Sequence, residues 1–216
     1  MLIINNLTAG YGKIPIIEQV NMEVAQGEIA AIIGPNGSGK STVLKSIFSL
    51  CTLLDGEIVW KGFNLGNLST PDLIRKKIAY VPQDRPVFSS LSVQENLEIA
   101  GSSVWNARKI KTEINSVCSR FPFLSGRLWD KASTLSGGQQ QILALAMAFI
   151  VQPELLLLDE PSLGLSPKAA AEIFKEIVRL NREGVTVFLV EQNAEQAVKI
   201  ADRVYWMEAG RLAQQD

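Results

Sequence analysis

The stretch Gly34-Pro35-Asn36-Gly37-Ser38-Gly39-Lys40-Ser41 fits the pattern G-x-x-x-x-G-K-[ST] at every fixed position. An apolar strand segment, Ile29 to Ile33, runs into it, and Thr42 to Leu50 behind it has helical spacing. A strand entering a Gly-rich turn that opens a helix is the setting in which this pattern holds phosphate. The glycines let the backbone curl until successive N–H groups converge, and the helix adds the positive end of its dipole. Gly34, Pro35, Asn36, Gly37, Ser38, Gly39, Lys40, Ser41 and Thr42 are therefore the candidate cradle for a nucleoside triphosphate. Lys40 would reach the β- and γ-phosphates, and the Ser41 hydroxyl would ligate Mg²⁺. Alone, the motif speaks only of a nucleoside triphosphate or a close relative.

Working outward, the first 33 residues read as short strands broken by Gly and Asn: Leu2 to Leu7, Val20 to Val24, then Ile29 to Ile33. Strands resume at Glu57 to Trp60 and Ile78 to Val81. From Ser92 to about Arg127 the spacing of Val93, Leu97, Ile110, Ile114 and Val117 is mostly helical. The last third alternates: strand Leu155 to Leu158, helix Pro167 to Leu180, strand Val185 to Val190, helix Ala194 to Ala201. Strands alternating with helices predict an α/β fold whose mostly parallel sheet is covered on both faces. The helical stretch is then an insertion into that core.

The bulk figures narrow the chemistry. At 216 residues the chain suits one domain or two small lobes, domains running to roughly 100–200 residues. Its 21 basic and 22 acidic side chains leave a net charge of −1, so nothing in the balance predicts a nucleic-acid partner. Cys51 and Cys118 stand far apart with no Cys-x-x-Cys pair, which argues against a disulfide framework or zinc site and fits a reducing compartment. There is no histidine, so catalysis must rest on carboxylates, Lys, backbone amides or an oxygen-held metal. The longest apolar run, Ile142 to Val151, is too short for a bilayer span of roughly 20 residues. No signal peptide is visible at the start, and the expected location is cytoplasmic.

Leu155-Leu156-Leu157-Leu158-Asp159-Glu160 is a buried-strand run that ends in two adjacent acids. Neighbouring strand side chains point to opposite faces, so the two can serve different roles. Asp159 would belong to the Mg²⁺ shell, and Glu160 would polarise the attacking water. Taken blandly, the pair only caps the turn before Pro161. A third segment, Leu135-Ser136-Gly137-Gly138-Gln139-Gln140-Gln141, sets a Ser and two glycines at a helix start, another anion site with a hydroxyl and amides for phosphate oxygens. In isolation it would be a plain helix N-cap.

In company it is more. A P-loop, then LSGGQ, then an apolar run ending in Asp-Glu resembles the ATP-binding cassette of ABC transporters, over essentially the whole chain. The resemblance implies one ABC ATPase domain over residues 1–216. Its expected parts are a P-loop NTPase core, an N-terminal antiparallel β subdomain and a helical insertion at about 84–137. It implies ATP and Mg²⁺ as cofactors and ATP hydrolysis as the reaction. Tyr11 sits where the family stacks an aromatic ring on adenine, and Gln83 in Tyr80-Val81-Pro82-Gln83 looks like the glutamine that touches Mg²⁺ and the reacting water. Two cassettes, identical or different, would pack head to tail, each ATP lying between one P-loop and the other chain's Ser136, Gly137, Gly138 and Gln139. Closure would drive a separate membrane permease, docked near Gln83 to Leu91, from the cytoplasmic face of the membrane, with a substrate-binding protein as a further partner.

Two positions depart from the common pattern. In Pro161-Ser162-Leu163-Gly164-Leu165-Ser166-Pro167, Ser166 stands where many members have Asp. In Val190-Glu191-Gln192-Asn193, Gln192 stands where the family has its switch histidine; a glutamine can donate to the γ-phosphate but cannot become cationic. Both replacements resemble the subfamily serving branched-chain amino acid importers. The competing expectations are a soluble cassette of DNA repair or translation, for which no long coiled-coil, zinc or basic insertion is visible, and a small-molecule kinase, which gives no reason for LSGGQ.

Overall fold

The computed structural model describes residues 1–84 and 86–213. Three strands made almost wholly of branched apolar residues form its centre: β3 (Ile29–Ile33), β7 (Leu155–Asp159) and β8 (Thr186–Glu191), every residue of which is buried. Strands buried on both faces read as continuous apolar runs, and such runs favour parallel pairing under helices. With β6 (Ile78–Val81), β9 (Arg203–Glu208) and β10 (Arg211–Leu212) they make a six-stranded sheet, ordered β10-β9-β3-β8-β7-β6 and parallel except for the β9–β10 hairpin. A second, antiparallel sheet, β2-β1-β4-β5, is built from β1 (Leu2–Tyr11), β2 (Ile14–Val24), β4 (Thr52–Trp60) and β5 (Phe63–Asn64).

The period of two along the central strands divides the core. Ala30, Ile32, Leu155, Leu157, Phe188 and Val190 face α1 (Lys40–Ile47) and the antiparallel sheet. Ile29, Ala31, Ile33, Leu156, Leu158, Val187 and Leu189 face a helical layer. That layer contains α3 (Val93–Ser102), α4 (Ala107–Arg120), α5 (Pro122–Ser125), α6 (Gly137–Phe149) and α7 (Pro167–Arg182). A short α2 (Thr70–Arg75), α8 (Ala194–Ile200) and one 3-10 turn (Ala132–Thr134) complete the described elements.

Several boundaries differ from the sequence expectation. β2 begins at Ile14 rather than Val20, because Ile14, Pro15 and Ile16 are exposed and its register with β1 is irregular, which blurs the alternation. β4 starts at Thr52 rather than Glu57, its first half being largely solvated. The first helix opens at Lys40 rather than Thr42, since the P-loop itself supplies the first two helical residues, Lys40 and Ser41. Strand β9, between β10 and β3, is absent from the sequence reading: its burial is mixed, so no apolar run marks it. Helices α3, α4 and α5 lie within the segment 84–137, and Ser92 and Asn106 cap the first two through their side chains.

Candidate active site

The carboxyl ends of β3, β7 and β8 point the same way, so Gly34, Glu160 and Gln192, each the first residue after its strand, gather at one edge of the sheet. Gly34 needs glycine: its φ is 154°, and a Cβ there would lie 2.1 Å from the carbonyl oxygen of Met207 on the neighbouring strand. Gly39 at φ 98° is as constrained, its Cβ falling 2.7 Å from Cγ2 of Ile17. No side chain caps the start of α1. The Ser38 hydroxyl is buried without a hydrogen-bond partner, and a buried polar atom of that kind in an anion cradle suits a ligand oxygen. Lys40, 4% exposed, donates from Nζ to the carbonyls of Gly34 and Pro35, both at 2.9 Å. Its ammonium is thus held across the loop by neutral oxygens that phosphate oxygens can replace.

Asp159 is 1% exposed, and both its oxygens are engaged: Ser41 Oγ donates to Oδ1 at 2.7 Å and the Tyr80 hydroxyl to Oδ2 at 2.9 Å. Burial, with the charge of Asp159, pushes the Tyr80 phenol far up, so Tyr80 stays a donor. Ser41 and Asp159 together offer oxygen ligands alone, as a hard cation prefers. No group of three or more His, Cys, Asp or Glu residues that could hold a metal occurs among the described residues. The set suits Mg²⁺, which keeps waters and shares phosphate oxygens rather than demanding an all-protein cage.

Glu160 has φ 47°, rare for a non-glycine residue, and accepts a hydrogen bond from Gln83 Nε2 at 3.2 Å. Burial raises its carboxyl above the ordinary range, with Lys40 pulling the other way. Lys40, Ser41, Thr42, Gln83, Glu160 and Gln192 all line one cavity of about 340 Å³, together with Asn36, Gly37, Gly39, Ile16 and Leu163. A carboxylate, an amide donor and an ammonium converging on one cavity can orient a water against a phosphoryl group held there.

Other expected residues lie elsewhere. Tyr11 ends β1, 49% exposed, and is not part of the cavity wall; neither are Gly34, Pro35 or the buried Ser38. Ser136 to Gln139 stand at the start of α6, also outside that wall. Gln139 is committed to a capping box: its amide donates to Ser136 Oγ at 3.4 Å, and its Oε1 accepts from the Ser136 amide at 3.0 Å. Gly138 has a packing reason as well, since a Cβ there would come 2.9 Å from the Ala169 Cβ on α7. Ser166, the departure from Asp, caps α7 by accepting from the Ala169 amide at 3.3 Å. In the expected docking stretch Gln83 to Leu91, Arg85 lies outside the described residues.

Sequence reasoning missed Tyr80, Ile16 and Glu191. Ile16 was hidden with the start of β2, and Tyr80 was read only as part of the glutamine's motif. Glu191 had a signal, a lone acid closing the apolar run Thr186 to Val190. It is 2% exposed, and burial raises its carboxyl while the Ser162 hydroxyl and then the Ser162 amide, 3.0 Å from Oε1, pull it down. The folded state therefore binds a proton more tightly than the unfolded chain. Between the ordinary and raised values stability falls as pH rises, and above them burying the charge opposes folding fully. Glu191→Gln removes that opposition, so its melting temperature relative to the parent should increase from mild acid to neutral pH. Thermal melts across pH check this; an offset that does not change with pH contradicts it.

Comparison with known proteins gives three concordant results. The family model described as ABC transporter matches residues 17–163. The high-affinity branched-chain amino acid transport ATP-binding protein BraG of Pseudomonas aeruginosa is 45% identical, over 100% of this chain and 92% of its own length. A probable branched-chain amino acid transport ATP-binding protein, LivF of Archaeoglobus fulgidus, is 41% identical over 96% of this chain and 88% of its own. A dimeric ATP-binding cassette in a post-hydrolysis state, bound to ADP and phosphate, superposes with a TM-score of 0.84 at 25% identity, covering 100% and 98% of the two chains.

Proposed function

The chain belongs to the ABC transporter family and is an ATPase, and from that premise we propose that it drives a membrane importer of branched-chain or related amino acids. The observation that carries the reading is the shared cavity, where the P-loop, Gln83, Glu160 after β7 and Gln192 converge, with Asp159 tied to the P-loop through Ser41. Lys40 and the loop amides hold the β- and γ-phosphates. Ser41, Asp159 and Gln83 hold Mg²⁺, which neutralises phosphate charge when bound. Glu160 orients the water, and Gln192 donates to the γ-phosphate. Tyr11 stacks on adenine.

Ser136 to Gln139 stand apart from this cavity, which supports a site shared between two chains: the P-loop of one cassette faces the Ser136 hydroxyl and the α6 N-terminus of the other. A similar cassette is known as a dimer. No helix among the described residues is long and apolar enough to cross a membrane, and the relatives are ATP-binding proteins of transport systems. We infer a peripheral subunit at the cytoplasmic face, working against separate permease subunits and a substrate-binding protein. The same names favour transport over DNA repair or translation. Deleting the gene should abolish ATP-driven uptake of labelled leucine, isoleucine or valine, with recovery on complementation by the parent but not by Glu160→Gln. Unchanged uptake of all three overturns the substrate assignment.

A further inference from the structure

Beyond the residues that face the nucleotide, the end of β8 carries a buried acid to which the reading above gives no role. Glu191 is 2% exposed, and its Oε1 accepts from the backbone N–H of Ser162 at 3.0 Å. The Ser162 side chain and the Asn193 backbone amide also bond to it. No ion pair engages it among the described residues. A buried carboxylate satisfied only by neutral donors is an expensive way to fill space, so its position calls for an account.

The chain it grips is unusual. Glu160 adopts φ 47° immediately before Pro161, and a residue preceding proline is ordinarily pushed to an extended conformation. Two bonds tie this turn to β8. The Glu160 amide donates to the Val190 carbonyl at 2.9 Å, and the Ser162 amide donates to the Glu191 side chain. Pro161 has no N–H, so Ser162 is the first amide after Glu160 able to make the second tie. A charged acceptor makes that bond shorter and stronger than an amide oxygen would. A cavity of about 360 Å³, lined by Glu160, Ser162, Leu163, Glu191, Gln192 and Asn193, adjoins the tie and shares Glu160, Leu163 and Gln192 with the nucleotide cavity.

We propose that Glu191 is a positioning residue for hydrolysis: by clamping the Ser162 amide it holds the strained Glu160 turn, and so sets where the Glu160 carboxylate and the following loop stand relative to Gln192. The proposal rests on the reading of Glu160 as the group that orients water. Glu191 touches no nucleotide atom and acts through its neighbours.

The test is steady-state ATP hydrolysis with Mg²⁺ by four variants of the full chain: Glu191→Ala, Glu191→Gln, Glu160→Gln, and Glu160→Gln combined with Glu191→Ala. Glu191→Ala should lower kcat by roughly 10- to 100-fold, the scale of a misplaced catalytic group, with KM for ATP near that of the parent. Glu191→Gln, whose Oε1 can still accept from Ser162, should retain most of the rate. The double variant should be no slower than Glu160→Gln alone, because both changes remove one function. A Glu191→Ala enzyme at the parent rate beside a slow Glu160→Gln overturns the positioning role alone. So does a further multiplicative loss in the double variant, which a merely structural role would give. Parent-rate hydrolysis by Glu160→Gln overturns the underlying reading, and this proposal with it.

Discussion

Glu160→Gln should hydrolyse ATP about 10²–10⁴-fold more slowly than the parent while binding ATP nearly as well, the loss expected when a positioned base is removed. The amide keeps the shape of the side chain, and its oxygen can still accept from Gln83, which lies 3.2 Å from Glu160 Oε2. What disappears is the carboxylate that draws a proton from water. The fold should be undisturbed, because the unusual backbone at φ 47° is held by the Val190 carbonyl and by Glu191 rather than by the Glu160 side chain. Binding energy from the P-loop then remains unspent on turnover, and an ATP-bound pair of chains should accumulate. Equilibrium binding of labelled ATP, single-turnover hydrolysis and sizing chromatography with ATP and Mg²⁺ measure the three parts. Hydrolysis close to the parent rate would remove Glu160 from the role assigned to it.

Gln192→Ala should lower the single-turnover rate by about 10²–10³-fold, the usual effect of losing one preorganised donor where charge develops. Gln192 lines the same cavity as Lys40, Ser41 and Glu160, directly after β8, where an amide can donate to a γ-phosphate oxygen. The local backbone holds it there. Its own carbonyl accepts from the Ala194 amide at 3.0 Å, and Asn193 caps α8 behind it. Gln192→His should hydrolyse at least as fast as the parent, since imidazole supplies a donor of similar reach. The comparison belongs at this chain's own P-loop site with its partner cassette present. An Ala variant as fast as the parent contradicts the role and makes Gln192 a bystander on the wall.

Much of the fold was legible because its centre is buried on both faces. Ile29 to Ile33, Leu155 to Leu158 and Val185 to Val190 read as strands from apolar runs alone, and they are β3, β7 and β8 to within a residue or so. The antiparallel sheet was half legible. One of its faces meets solvent, Ile14, Pro15 and Ile16 are exposed, and strand irregularity breaks the period of two. Strand β9 gave no signal because only Met207 of its six residues is buried. The P-loop and the two acids were visible as local motifs whose chemistry depends on neighbours in sequence. Tyr80 and Glu191 were not: the Tyr80 hydroxyl reaches Asp159 across 79 positions and Glu191 reaches Ser162 across 29, and such contacts exist only once the sheet has assembled.

If one ATP site is made from two chains, the rate of ATP hydrolysis per chain must depend on dilution. The folded protein is assayed with Mg²⁺, alone and mixed with the cassette that co-purifies with it from native membranes. Because Ser136 to Gln139 stand outside the cavity of their own P-loop, the rate per chain should rise with concentration and level off when pairs predominate. Ser136→Ala should lower that plateau. A rate per chain that stays flat over the whole series, in both preparations, would mean that a single chain completes its own site and would contradict the account.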